Sequence, residues 1–177
     1  KKREATELRR PQQQSQSLKD CYQPKLNPCA SDNNSLVYFM PRSMRIIAGR
    51  LGGRNFDGPR GHRTHPMSEK ARGAIFNALG DINGLSVLDA FAGSGALAFE
   101  AVSRGANEVI AVEIDKKAHS IIKQSAEELG ISNKVVIVRA NVSAWSNRHK
   151  SAKFDIVLCD PPYDDIQYKI IRKLADH

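Results

Sequence analysis

The chain has 177 residues, 41% of them apolar, and a formal net charge of +8, which allows one globular domain with extensions. Three cysteines, Cys21, Cys29 and Cys159, make neither a metal-ligand spacing nor an even disulfide set, so a reducing cytoplasm is the expected compartment and Cys159 reads as a small core residue. No apolar run approaches the roughly 18 residues of a membrane span, and no apolar stretch with a small-residue cleavage site marks a secretory signal.

The charge is unevenly placed: residues 1–43 carry +4, residues 44–72 carry +5 and residues 73–177 carry −1. Residues 1–43 combine a charged start, Gln12-Gln13-Gln14-Ser15-Gln16-Ser17 and scattered prolines without a lasting period, and disorder is expected there. Leu36–Met40 is too short to make a domain. Met44 is expected to be the natural start, and Glu4, Glu7 and Asp20 argue against an organellar targeting peptide. From Met44, Arg45-Ile46-Ile47-Ala48-Gly49-Arg50, the turn Leu51-Gly52-Gly53 and Arg54-Asn55-Phe56 predict two short strands joined by a Gly-Gly turn. Arg45, Arg50, Arg54, Arg60 and Arg63 recur through this hairpin and the following loop. Planar guanidinium donors suit phosphate, so residues 44–66 read as a basic handle for nucleic acid, against the plainer alternative of a solvated edge.

Ser68 is placed to cap a helix running to about Leu79, with Gly80 at its end and Ala71, Ile75, Ala78 and Leu79 as its apolar stripe. Strands and helices then alternate: strand Ser86–Asp89, helix Ala96–Arg104, strand Glu108–Glu113, helix Ala118–Leu129 and strand Val135–Arg139. A polar stretch through Lys153 follows, then strand Phe154–Cys159 and a helix from about Ile166. Apolar strands separated by helices predict an α/β, doubly wound parallel sheet with ligands at the carboxyl ends of its strands.

Two strand ends carry the chemistry. After Val87-Leu88-Asp89, the turn Ala90-Phe91-Ala92-Gly93-Ser94-Gly95 opens a helix, and Gly93 and Gly95 let backbone approach a ligand closely. It lacks the third glycine of a dinucleotide fingerprint and the lysine of a phosphate loop. Glu113, ending the next strand, can accept from ribose hydroxyls. Asn141, past the third, can pair with an adenine edge, or else serve only in a turn. Asp160-Pro161-Pro162-Tyr163, directly after an apolar strand, is the sharpest signal. Asp160 and the Pro161 carbonyl can accept both N–H bonds of an exocyclic base amine, turning its lone pair toward a methyl donor. Proline fixes the acceptors, and Tyr163 can stack on the base. Such transfer needs neither a metal nor a covalent intermediate.

From Met44 onward the chain resembles the RsmD-type family of bacterial 16S ribosomal RNA (guanine-N2)-methyltransferases. The resemblance rests on Arg45-Ile46-Ile47-Ala48-Gly49, Arg72-Gly73-Ala74-Ile75-Phe76-Asn77, Asp89 to Leu97, Glu113-Ile114-Asp115 and Asp160-Pro161-Pro162-Tyr163. It implies a Rossmann-like class I methyltransferase domain over residues 67–177 and S-adenosyl-L-methionine as cofactor. The implied cofactor set is Asp89, Phe91, Gly93, Ser94, Gly95, Glu113, Ile114 and Asn141, with Asp160, Pro161, Pro162 and Tyr163 at the target guanine. Arg45, Arg50, Arg54 and Arg63 are the expected RNA contacts. The implied partner is 16S rRNA or a small-subunit particle, with guanine 966 as the target, and a monomer is expected. His65-Pro66-Met67 departs from the family's Arg-Pro-Thr. The family continues for three more strands after Asp-Pro-Pro-Tyr, so the sheet is expected to be incomplete after its fourth strand and the chain to be C-terminally truncated. Rival readings are a DNA adenine-N6 or cytosine-N4 methyltransferase, a protein-glutamine methyltransferase, and a fragment that binds RNA without catalysis.

Overall fold

The computed structural model describes residues 42–59, 67–162 and 167–177. The disorder expected for residues 1–43 therefore lies outside the described residues, except that Arg42 and Ser43 belong to a strand. That strand, β1 (Arg42–Arg45), pairs antiparallel with β2 (Asn55–Gly58), Arg45 opposite Asn55. The expected hairpin exists, but its ladder is shifted away from the tip and shares only Arg45, Asn55 and Phe56 with the predicted strands. Residues 46–54 form its tip: the strand expected over residues 46–50 is absent, while the Gly52-Gly53 turn is present, closed by the Arg54 amide donating to the Leu51 carbonyl at 3.1 Å.

The tip is pinned to the body, which explains the shift. Ile47 and Ala48 donate their amides to the Glu100 carboxylate at 2.8 and 3.1 Å, and Arg50 donates its own to the Ser103 carbonyl at 2.7 Å. Gly49 has φ +80°, and a Cβ there would stand 2.0 Å from the Ser103 carbonyl oxygen, so only glycine fits. Ile46, Leu51 and Phe56 are buried in the main core, and Phe56 meets Phe99 edge-to-face at 5.0 Å. Such a pair contributes roughly 0.5–1.5 kcal/mol beyond its buried area. The hairpin thus shares the core of the domain it precedes.

Helix α1 (Glu69–Leu79) starts and stops as its signals predict: the Ser68 hydroxyl accepts from the Ala71 amide, and Gly80 closes the helix at φ 75°. Its apolar stripe does not lie where expected. Arg72 and Phe76 are the buried residues, while Ala71, Ala78 and Leu79 are exposed. A charge takes a core position because Glu100 stands opposite it.

Strands β3 (Ser86–Asp89), β4 (Glu108–Glu113) and β5 (Val135–Arg139) match their predicted bounds, and β6 (Ile156–Leu158) is shorter than predicted. All pair in parallel, in the order β5-β4-β3-β6. Helices α2 (Ala96–Ser103) and α3 (Lys116–Leu129) bury their apolar faces with Val87, Val109 and Ala111 on one side of the sheet. Helix α3 begins two residues early because the Asp115 side chain caps the Lys117 and Ala118 amides.

The opposite face carries Leu88 and Val112 against α4 (Val142–Arg148) and α5 (Tyr168–Leu174). Helix α4 replaces the expected polar stretch, with Asn141 as its N-cap and Trp145 buried against Phe154. The result is the expected α/β doubly wound sheet. Its strand order reverses between β3 and β6, the place where such sheets open a ligand crevice. Among the described residues no helix is long and apolar enough to cross a membrane.

Candidate active site at the β3 and β6 strand ends

Asp89 and Leu158 are register partners, and the Ala90 amide donates to the Leu158 carbonyl at 3.0 Å. The glycine turn and the Asp160 corner therefore leave the sheet side by side, from the same height. Alternate-face geometry sends Asp89 inward, where it is 0% exposed. Its Oδ2 accepts from the Ala98 amide at 3.2 Å, so a strand-end carboxylate caps α2 from below. Its Oδ1 is buried and, among the described residues, has no partner in hydrogen-bonding geometry. Burial pushes its carboxyl up to about 7, the neighbouring Asp160 and Glu113 charges add to that, and the Ala98 and Phe91 amides oppose it. Asp160 is half-buried and is itself shifted upward by burial. Burial also pushes the Cys159 thiol up, reinforced by Asp89, which makes a thiolate role unfavourable.

The turn is anchored at both ends. The Ala92 amide donates to the Val112 carbonyl at 2.9 Å, and that of Gly95 to the Ala92 carbonyl at 2.6 Å. Gly93 and Gly95 both take positive φ, 52° and 77°, but differ in surroundings. A Cβ on Gly95 would stand 2.9 Å from Ile122 Cγ2, a packing requirement. One on Gly93 would meet nothing closer than the Phe91 carbonyl oxygen at 3.8 Å. The space above Gly93 is therefore free for a ligand.

Glu113 joins the next strand end to this turn. Its Oε2 accepts from the Gly93 amide and its Oε1 from the Asp115 amide, both at 2.7 Å. Ile114 beside it is 62% exposed. Phe91 is half-buried and Ser94 is buried. Asn141 Oδ1 accepts from the Ser143 and Ala144 amides. Its acceptor is committed to capping, and its NH2 group remains as a donor. At the corner Pro161 is half-buried and Pro162 exposed. Tyr163 lies outside the described residues, as do Arg60 and Arg63.

The hairpin arginines divide by role. Arg45 pairs with Glu69 at 2.6 Å. Arg54 donates to the Leu129 and Glu128 carbonyls, fastening the hairpin to the C-terminal end of α3. Arg50 is exposed at the tip.

Sequence reasoning missed the ion network beneath the hairpin. Glu100, 0% exposed, accepts from Ile47, Ala48 and Arg104 Nε and stands 3.7 Å from Arg72 Nε. One carboxylate within the apolar run Ala96–Ser103 was the available signal, because a buried Glu requires partners.

The family model described as Conserved hypothetical protein 95 matches residues 44–177. A ribosomal RNA small subunit methyltransferase D from Buchnera aphidicola subsp. Acyrthosiphon pisum is 37% identical over 131 residues, which are 73% of this chain and 64% of that protein. Its namesake from Haemophilus influenzae is 33% identical over 123 residues, 68% of this chain and 64% of that protein. The chain thus spans slightly under two thirds of the length of these curated relatives. Among solved structures, yhhF from Escherichia coli superposes with a TM-score of 0.65 at 29% identity, covering 76% of this chain and 73% of that one.

Proposed function

This chain belongs to the Conserved hypothetical protein 95 family, the RsmD-type methyltransferases, and from that premise we propose that it methylates the exocyclic N2 of a guanine in small-subunit ribosomal RNA, using S-adenosyl-L-methionine. The observation that carries the reading is the adjacency of two strand ends: the open glycine turn with a buried, half-satisfied Asp89, and Asp160 on the neighbouring strand.

The residues fit the cofactor. Asp89 Oδ1 is a buried acceptor lacking a donor among the described residues, Gly93 leaves room for close approach, and Ile114 offers an exposed apolar surface for an adenine face. Phe91, Ser94 and Gly95 would shape the turn around it. Glu113 would accept from the ribose hydroxyls through lone pairs its two amide bonds leave free, and the Asn141 NH2 group would donate to the base. When bound, S-adenosyl-L-methionine supplies an electrophilic methyl group on a sulfonium centre.

The remaining work falls to this chain. Asp160 and the Pro161 carbonyl hold the guanine amine by its N–H bonds, which localises the lone pair. Pro162 keeps the corner rigid, and Tyr163 stacks on the base. As the nitrogen gains its methyl group it must lose a proton, and Asp160, whose pKa burial raises, is the acceptor. In-line positioning of the two reactants supplies much of the rate enhancement. Arg50 and Arg63 hold RNA phosphates and Arg45 contributes when released from Glu69, whereas Arg54 acts by holding the hairpin in place. Guanine 966 is the position the resemblance implies.

The test is radiolabelled methyl transfer to undermethylated small-subunit particles, with DNA and protein as controls. Label on guanine N2 alone is expected. Label on a DNA adenine or cytosine, or on glutamine, would replace this reading with a rival.

A further inference from the structure

A cavity of about 220 Å³ lies between the hairpin and the start of α1, walled by Ser43, Arg45, Met67, Ser68, Glu69 and Arg72. Three independent features give it a preference for anions. First, α1 has eleven residues, and its first-turn amides have no intrahelical partners. Those of Ala71 and Arg72 are met by Ser68, which leaves the Glu69 and Lys70 amides at the positive end of the helix dipole. Second, Arg72 is 1% exposed; its Nε stands 3.7 Å from Glu100 Oε2 and its Nη2 donates to the Arg45 carbonyl, while among the described residues its Nη1 has no hydrogen-bond partner. A buried guanidinium nitrogen whose donors are unsatisfied is costly, and a ligand that supplies acceptors removes that cost. Third, the local ion count is unbalanced. Arg45, Arg72 and Arg104 face Glu69 and Glu100, which leaves one positive charge in excess.

We propose that this cavity is an oxyanion site that seats one phosphodiester of the RNA strand, held by Arg45, Arg72 and the α1 first-turn amides. The phosphodiester assignment rests on the RNA reading above; the oxyanion site itself does not. One phosphate supplies the single negative charge that the cluster lacks, and its several oxygens match a fork of guanidinium donors. Glu69 is then a gate of charge: in the absence of anion it holds Arg45 at 2.6 Å, and an entering phosphate competes for the same guanidinium. Because Arg45 sits on the hairpin and Arg72 on α1, an occupied site ties the handle to the domain through the ligand as well as through the core.

The test is amide and arginine Nε NMR of the whole chain, titrated with inorganic phosphate at constant ionic strength. The proposal predicts saturable shifts of the Arg72 Nε–H and of the Glu69 and Lys70 amides. Arg45→Ala should weaken the apparent affinity roughly tenfold, the loss of one charge-assisted contact, and E69Q should strengthen it several-fold. Both side chains are exposed, so neither variant threatens folding. A short single-stranded RNA should shift the same signals, with a salt slope reduced by about 0.7 in Arg45→Ala. Shifts that follow chloride equally, or that Arg45→Ala and E69Q leave unchanged, would overturn the site. Phosphate-specific shifts with no response to RNA would overturn the phosphodiester assignment, and shifts with S-adenosylhomocysteine would reassign the cavity to the cofactor. None of these outcomes depends on methyl transfer, so a failure here is distinct from a failure of the enzymatic reading.

Discussion

Two carboxylates serve α2, and both are 0% exposed, but they are treated oppositely. Glu100, in the middle of the helix, accepts from two hairpin amides and Arg104 and faces Arg72. Asp89, below the first turn, has one oxygen on the Ala98 amide and the other without a partner among the described residues. A carboxylate saturated with donors is a clasp: it fixes the hairpin on the domain. A carboxylate left half-satisfied where the strand order reverses is the one assigned to the proposed cofactor site. The contrast separates a residue that holds this fold together from one proposed to serve its site.

The largest stability effect should come from the clasp. E100Q leaves Arg72 and Arg104 without their anion inside the core and should cost about 3–5 kcal/mol in urea denaturation. A cost below 1 kcal/mol would remove the distinction between the two carboxylates. Asp89 gives the next test, through pH. Its folded pKa of about 7 lies above the ordinary aspartate value, so the folded chain binds a proton that the unfolded chain releases. The associated stability is complete below about pH 4 and is lost as pH rises through about 7, a change on the order of 4 kcal/mol. Asp89→Asn keeps an acceptor for the Ala98 amide and should flatten that part of the stability curve. An unchanged slope between pH 4 and 7 would place the titration elsewhere.

The two glycines of the turn sharpen the same division at smaller scale. Gly95→Ala collides with Ile122 at positive φ and should cost about 2–3 kcal/mol of stability. Gly93→Ala has room for its Cβ and should cost about 1 kcal/mol, while lowering S-adenosylhomocysteine affinity roughly tenfold or more, by calorimetry. Equal affinities for the Gly93→Ala variant and the parent chain would exclude the turn from the cofactor site.

Much of this architecture was legible because local signals and tertiary packing agree. Ser68 and Gly80 bound α1 as their capping chemistry requires, and three of the four parallel strands fall on their apolar runs. The misreadings occurred where a distant partner decides. Arg72 occupies a core position only because Glu100, from another helix, meets it. Residues 46–54 form a pinned tip only because α2 offers Glu100 and Ser103. Helix α4 was hidden because its cap, Asn141, also suits a ligand, and its one large anchor, Trp145, lies among polar neighbours. The motif residues were identifiable at the site, but their adjacency depends on β6 returning beside β3. That is a property of strand order and not of any local segment.

The central claim is that neighbouring strand ends perform separable tasks, cofactor binding at Gly93 and amine binding at Asp160. It is tested most directly by measuring single-turnover methyl transfer and S-adenosylhomocysteine affinity together in Asp160→Ala. The account predicts a rate at least about a hundredfold lower, the scale of one lost transition-state contact, with affinity unchanged. A full rate, or a parallel collapse of both quantities, would contradict it.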